Sequence, residues 1–594
     1  MFLATPPRRM SRLFLSLLLC FTLLLSSCSH STPAPDSKNT AVKDNTTSKE
    51  FDTFTSTLFK EMVASDALSL NYTLAHPESY GVSKQAGGFR PISYEELQQA
   101  APESENLLYK LQQFNKDKLS LPQKILYDSL AYTLEMEQKG SEFLLFSRPL
   151  SPVTGLQAQL PVLLAEYSFD SVEDIEDYFA LLQSIPEYFT SILSFMKLQA
   201  NNSLLPSQDT LKEIINQCLS FSENGGSKIL TSSFSSRLKK CDFIDKATKQ
   251  NYRKTNKTLV TTCILPAYAE LVDGLNVLLT KAGTNGSLCS YSNGQKYYSH
   301  LFTTETGSSQ NPDKYFEELT LRLDKCKQTL LSYAKKDPAL FSKLSTDTTS
   351  SVPPEEQLTN LSQAICTDFP EAKDVNFTVS YVDKSLEDFL SPAFYLTPPL
   401  DAYTENAIYI NQSERFAGSD LAPTLAHEGY PGHLYQNVYY RQQNRPLLCY
   451  ALNFGGYTEG WATYAENYSY KYLGYSRDEV GILRNNAIVS LCIYGLADIG
   501  IHYYGWGEKE LLEFLQEQGS YTAETAHSLY TNIVNEPGSY LKYTIGYMEF
   551  VKLKTAAKKQ MGDRYSELSF HTFVLSAGPA PFSVLNTYME ELWP

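Results

Sequence analysis

A mainly α-helical protein is predicted by three features of this 594-residue chain. Apolar residues recur at helical spacing over most of its length, no fixed-period repeat is evident, and only two short segments read as strands. Apolar residues make up 42% of the chain and aromatic residues 13%, which places it among folded globular proteins rather than disordered ones. The expected architecture is one large helical domain with two lobes around a cleft and a small β-element near the site described below.

The chain opens with a targeting signal. Arg8, Arg9 and Arg12 precede an apolar run over residues 13–25, which ends in Ser26, Ser27 and Cys28. A basic start, an apolar core and small residues before a cut make a secretory signal. A cysteine directly after the small residues adds a lipobox, with Cys28 lipidated and becoming the first residue. The apolar run is shorter than the roughly 20 residues a spanning helix needs. Residues 1–27 are therefore expected to be a lipoprotein signal peptide, and the mature protein to be extracytoplasmic and lipid-anchored to a bacterial cell membrane.

Residues 28–49, rich in Ser, Thr, Pro, Asp, Lys and Asn, read as a flexible tether. The domain follows over residues 50–594, with an N-terminal lobe over about 50–300 and a C-terminal lobe over about 301–594. Phe51, Phe54, Leu58 and Met62 set the helical period at its start, and Leu107, Leu111 and Phe114 repeat it. Further helices are expected over 121–139, 173–199, 208–220, 243–282 and 312–336, with Pro266 kinking or dividing the fourth. Turn-rich breaks separate them at 222–227, 283–295, 303–313 and 345–354. Residues 376–382 and 406–412 read as strands, either a structural hairpin or an edge to which an extended peptide can add.

Charge and cysteines exclude some roles. A net charge of -16 argues against nucleic acid as a partner, because phosphate binding needs clustered Lys and Arg. The eight cysteines beyond Cys28 are irregularly spaced with no Cys-x-x-Cys pair, so no zinc ribbon is indicated, while export permits disulfides. His76 and His300 stand alone and read as structural.

The chemistry concentrates at His427-Glu428-Gly429-Tyr430-Pro431-Gly432-His433 and, downstream, at Glu459-Gly460-Trp461-Ala462 and Glu466. Two imidazoles and three carboxylates in one region are the donor types of a catalytic zinc site. The plain alternative is that these are ordinary helix residues and solvated glutamates. His427 and His433 are six positions apart, about 600° around an ideal helix, so an unbroken helix would point them about 120° apart. Pro431 and Gly432 predict a break that swings His433 back. Glu459 and Glu466 are seven apart, about 700°, and share a face. That face would deliver Glu459 as third ligand and Glu466 as a partner orienting an imidazole.

These stretches, together with residues 391–395 (Ser-Pro-Ala-Phe-Tyr), 497–502 (Ala-Asp-Ile-Gly-Ile-His), 537–546 and Phe570-His571, resemble the bacterial family called domain of unknown function 885. Many of its members look like lipoproteins. The family is in turn similar in motif layout to the helical zinc peptidases of the thimet oligopeptidase, angiotensin-converting enzyme and carboxypeptidase Taq groups. The resemblance implies one zinc ion held by His427, His433 and Glu459, with Glu428 as general base. Tyr543 falls where the family pattern has a tyrosine after Pro-Gly, and a phenol there would steady an oxyanion. Asp498 and His502 form an i, i+4 pair, in which His502 either donates to the transition state or is held by Asp498. His571 binds a substrate carboxylate or is structural. Ser539 and Thr544 depart from the expected Gln and Lys.

The expected activity is zinc-dependent hydrolysis of short peptides, as an oligopeptidase, dipeptidase or carboxypeptidase. The alternatives are a non-catalytic surface lipoprotein binding peptide or glycan, and a metal hydrolase of another amide such as a cell-wall fragment.

Overall fold

The computed structural model describes residues 48–593, apart from 85–86, 224, 345–351, 383, 385–386, 388–390 and 417–420. The signal segment, Cys28 and nearly all of the tether lie outside the described residues. The fold is mainly helical, with one three-stranded sheet.

Two large apolar cores organise it. The first is built on α1 (Val172–Asn201) and α2 (Lys246–Leu279). Along α1, Ile175, Tyr178, Leu182, Ile185, Phe189, Ile192 and Met196 alternate steps of three and four, so one stripe faces inward and is buried throughout. Ser171 and Asp174 close a capping box at its start. In α2, the regular α-winding is interrupted just before Pro266, where a division was expected. The chain winds a π turn over Val260–Ile264 just before it. The wider turn gives the ring room where an α-turn would set it against the carbonyl four residues back.

The second core takes residues from α3 (Gly294–Thr306), α4 (Pro312–Lys336) and the C-terminal half. At its centre lie α7 (Gly455–Ser469), α8 (Arg477–His502) and α9 (Ser539–Met561). Helices α2 and α8 are long and apolar enough to cross a membrane by composition, but the apolar residues of each contribute to these cores.

The helices α7 and α9 run parallel and nearly touch. A Cβ on Gly460 would lie 2.4 Å from the Gly546 carbonyl carbon, and one on Gly546 would lie 2.1 Å from the Gly456 carbonyl oxygen. Glycine at these positions is what brings Glu459 and Tyr543, one from each helix, to the same place. Gly546→Ala is accordingly expected to cost about 1–3 kcal/mol through overpacking, read as a lowered midpoint of denaturant unfolding.

The sheet consists of β1 (Asn376–Tyr381), β2 (Ala393–Leu396) and β3 (Glu405–Ile410), in the order β1-β3-β2. β1 pairs parallel with β3, and β2 pairs antiparallel with it. The two anticipated strands are present, but they do not form a hairpin. β3 is central, so its two edges are occupied, and the strand beside the site is β2. Two further helices, α5 (Ala422–Glu428) and α6 (His433–Arg441), follow the sheet. All eight cysteines in the described residues are free.

Candidate metal centre

The helix that would carry His427 to His433 is broken where Pro431 and Gly432 predict it. α5 ends at Glu428 and α6 begins at His433, with a cis Tyr430–Pro431 bond between them. Gly429 donates its N–H to the Leu425 carbonyl at 2.8 Å, and Gly432 reaches back six residues to the Ala426 carbonyl at 3.0 Å. A Cβ on Gly432 would sit 1.8 Å from the His427 carbonyl oxygen, so only glycine fits this return. Trp461, fully buried on α7, donates its indole N–H to the Pro431 carbonyl at 3.0 Å and ties the break to the neighbouring helix.

The break brings the two imidazoles together, with ring centroids 4.9 Å apart. Glu459 arrives from α7, its Oε2 lying 3.4 Å from His433 Nε2 and 3.7 Å from His427 Nε2. One ligand atom from each of the three residues lies within 4.8 Å of the others, and the residues are 6%, 9% and 5% exposed in the order His427, His433, Glu459. Two ligands about 2.05 Å from a shared tetrahedral ion stand about 3.3 Å apart, so these separations are close to those of a zinc site. The donor set of two imidazole nitrogens and one carboxylate leaves a fourth position open.

Electrostatics favours a cation here. Burial opposes the charged form of His427, yet the carboxylates of Glu459 and Glu466, 3.7 and 3.1 Å from its ring nitrogens, hold its pKa well above the ordinary histidine value. Burial would raise the pKa of Glu459, but His427 and His433 outweigh it and hold the carboxylate below its usual range. A bound ion would supply the positive charge with both imidazoles neutral. His427 Nδ1–H donates to Glu466 Oε2 at 3.1 Å, which turns Nε2 toward Glu459 and His433.

Glu428 is 2% exposed and accepts the Tyr395 N–H from β2 at 3.0 Å. Burial raises its pKa, with His427, His433 and the Tyr395 N–H opposing. Tyr543 completes the cluster, its ring 6.3 Å from that of His427 and its phenol hydrogen-bonded to Glu459. Burial, then the charges of Glu459 and Glu428, push its pKa well above 10, so it stays a neutral donor.

Asp498 acts one step back. Its Oδ1 accepts the Tyr298 hydroxyl at 2.6 Å and its Oδ2 the Gly538 N–H at 3.1 Å, which anchors the start of α9 ahead of Tyr543. Thr544 is buried against α8 and donates to the Leu491 carbonyl at 2.9 Å, a position with no room for a long cation. A cation enters instead from Lys542, 3.7 Å from Glu305 and within the field of Glu459. Nothing in the local sequence marks Lys542 or the backbone of Tyr395 as part of the site.

Of the two further histidines, His502 departs from both expected roles and His571 takes the structural one. His502 is fully buried with both nitrogens engaged by backbone, Nδ1 accepting the Leu288 N–H at 3.1 Å and Nε2 donating to the Ile533 carbonyl at 3.0 Å. It is neither a transition-state donor nor held by Asp498. His571 is also fully buried, stacked on Phe369 at 4.0 Å, with Nδ1 on the Asp368 carbonyl and Nε2 on the Tyr464 hydroxyl. It has no open face for a substrate. His300 packs on Phe143, and His76 lies 3.9 Å from Glu78 at the surface.

Burial pushes both His502 and His571 down to about 3. The unfolded chain takes up these protons near pH 6.5 and the folded chain does not, so stability is full above that pH and falls as pH drops toward 3. Each histidine should add a slope of about 1.4 kcal/mol per pH unit over that window. Melting temperatures between pH 7 and 4.5 should show the loss, and His571→Gln should flatten it.

Residues 77–589 match the family described as "Bacterial protein of unknown function (DUF885)", and the chain belongs to that family. Two solved structures share the fold. One is described as a "putative lipoprotein" from Colwellia psychrerythraea, with TM-score 0.82 and 18% identity over 92% of this chain and 100% of that one. The other, from Shewanella oneidensis, is described as such a lipoprotein "of unknown function", with TM-score 0.66 and 15% identity over 92% and 100%. No curated protein matches the chain.

Proposed function

We propose that this member of the DUF885 family is a lipid-anchored, extracytoplasmic, zinc-dependent peptidase acting on short peptides. The observation that carries the reading is the convergence of His427, His433 and Glu459, from three helices, with their ligand atoms within 4.8 Å of one another. A zinc ion held there would polarise a substrate carbonyl and acidify water.

The remaining roles belong to the chain's own groups. Glu428 would take a proton from the attacking water and return it to the leaving amine as the C–N bond breaks, so that the carboxylate is regenerated. Tyr543 would donate its hydroxyl to the oxyanion that forms at the carbonyl. β2 is an outer strand whose Tyr395 N–H already binds Glu428, so a peptide laid along it would present its carbonyls beside the base. The anchor rests on the lipobox at Cys28 and is supported by the description of both structural relatives as lipoproteins.

A pure binder would have no use for a buried carboxylate beside the ligand cluster, which favours the enzyme. The test is turnover of a mixed short-peptide library by the full chain, run beside a set of muropeptides. Cleavage of the peptides supports the proposal. Cleavage of muropeptides alone would replace it with a cell-wall amidase, and saturable binding without turnover would replace it with a binding protein.

A further inference from the structure

A second cavity, of about 520 Å³, opens at the C-terminal ends of α7 and α9, between them and α4 and α8. Its basic end lies along the two helices from the metal centre. The parallel helices meet at Gly456 and Gly546 near one end, and Lys554 meets Tyr464 and Tyr468 toward the other. From Glu459 to Tyr468 is nine residues along α7, about 13 Å, and from Tyr543 to Lys554 is eleven along α9, about 16 Å.

Its charge opposes that of the protein. In a chain with net charge -16, Arg322, Lys471, Arg484, Lys554 and Lys558 all line this one space. Two carboxylates answer them and both are committed. Glu567 pairs with Lys554 at 2.6 Å and Lys558 at 3.6 Å, and Asp368 pairs with Lys471 while accepting the hydroxyls of Tyr468 and Tyr472. Five cations thus face two carboxylates.

Neither arginine has a carboxylate partner among the described residues. Arg484 donates to the carbonyls of Asn467 and Tyr468 at 2.7 and 2.6 Å, capping the end of α7. Arg322 Nε is buried without a hydrogen-bond partner among the described residues. A solvated cluster would be unremarkable, and Lys558, half-exposed at the rim, fits that description. Lys554 does not, being 15% exposed, and burial lowers its pKa with Lys558 and Arg484 adding to the effect. Tyrosine rings floor the space, with Lys471 and Lys554 standing 4.2 and 4.7 Å from the centre of the Tyr468 ring.

We propose that this cavity binds a small organic polyanion, bearing phosphoryl groups or several carboxylates, with its carbon skeleton against the tyrosines. Its volume lies within the range of small-molecule sites, and guanidinium and ammonium groups suit phosphate and carboxylate alike. The site is independent of the proposed peptidase chemistry.

Calorimetric titration of the full chain with pyrophosphate and with citrate, at constant ionic strength, tests it. At least one should bind saturably at millimolar concentration or below. Arg322→Gln and Lys558→Glu should each weaken that binding by about tenfold or more while leaving the unliganded melting temperature near wild type, and His433→Ala should leave the binding intact. The proposal is overturned if neither anion binds saturably, if both cavity variants bind as wild type does, or if binding disappears in His433→Ala and so belongs to the metal centre.

Discussion

Glu428→Gln is expected to lower kcat for peptide hydrolysis by about 10²–10⁴, or roughly 2.7–5.5 kcal/mol, while leaving the metal in place. The amide is isosteric and its oxygen can still accept the Tyr395 N–H, so β2 and α5 should keep their contact. What it loses is the capacity to take a proton. KM should change little, because Glu428 acts in the proton transfer rather than in ground-state binding. Steady-state kinetics with metal content measured on the same samples separates this loss from a loss of ion. Full activity in the variant would remove Glu428 from the mechanism.

His433→Ala is expected to have the largest effect on the ion itself. It removes one of three converging ligands from a pocket where Glu459 and Glu466 remain. Zinc affinity should fall by more than about 100-fold, beyond the 10–100-fold typical for losing a partner behind a ligand. Glu466→Gln, which disturbs only the orientation of His427, should fall inside that smaller range. Competition with a chelating dye gives both values. Equal affinities across wild type and the two variants would contradict the assigned ligand set.

Much of this arrangement was legible in the residues. Pro431 and Gly432 between two histidines predicted a broken helix because neither residue continues an α-helix comfortably, and the chain does turn back there. The seven-residue spacing of Glu459 and Glu466 places both at His427, one against each ring nitrogen. The long amphipathic helices fell close to their expected bounds because a buried stripe such as that of α1 is a local pattern.

What was not legible depends on tertiary contacts. His502 and His571 looked available because sequence does not show what surrounds a ring; His502 proves to be held by two backbone partners and His571 by a backbone carbonyl and the Tyr464 hydroxyl. β2 is only four residues long and is defined by its pairing with β3 rather than by alternation of its own. The part played by Tyr395 is made by a main-chain N–H, which any residue type carries. The basic cavity gathers cations from three helices and the 3-10 turn that follows α7, so no local charge run announces it.

His427, His433 and Glu459 are proposed to hold one metal ion. Elemental analysis of the purified full chain after equilibration with zinc and removal of loose ions tests it most directly. About one zinc per chain is expected, falling to near zero in His433→Ala and retained in Glu428→Gln. A wild-type protein without stoichiometric metal, or the same content in His433→Ala, would contradict it.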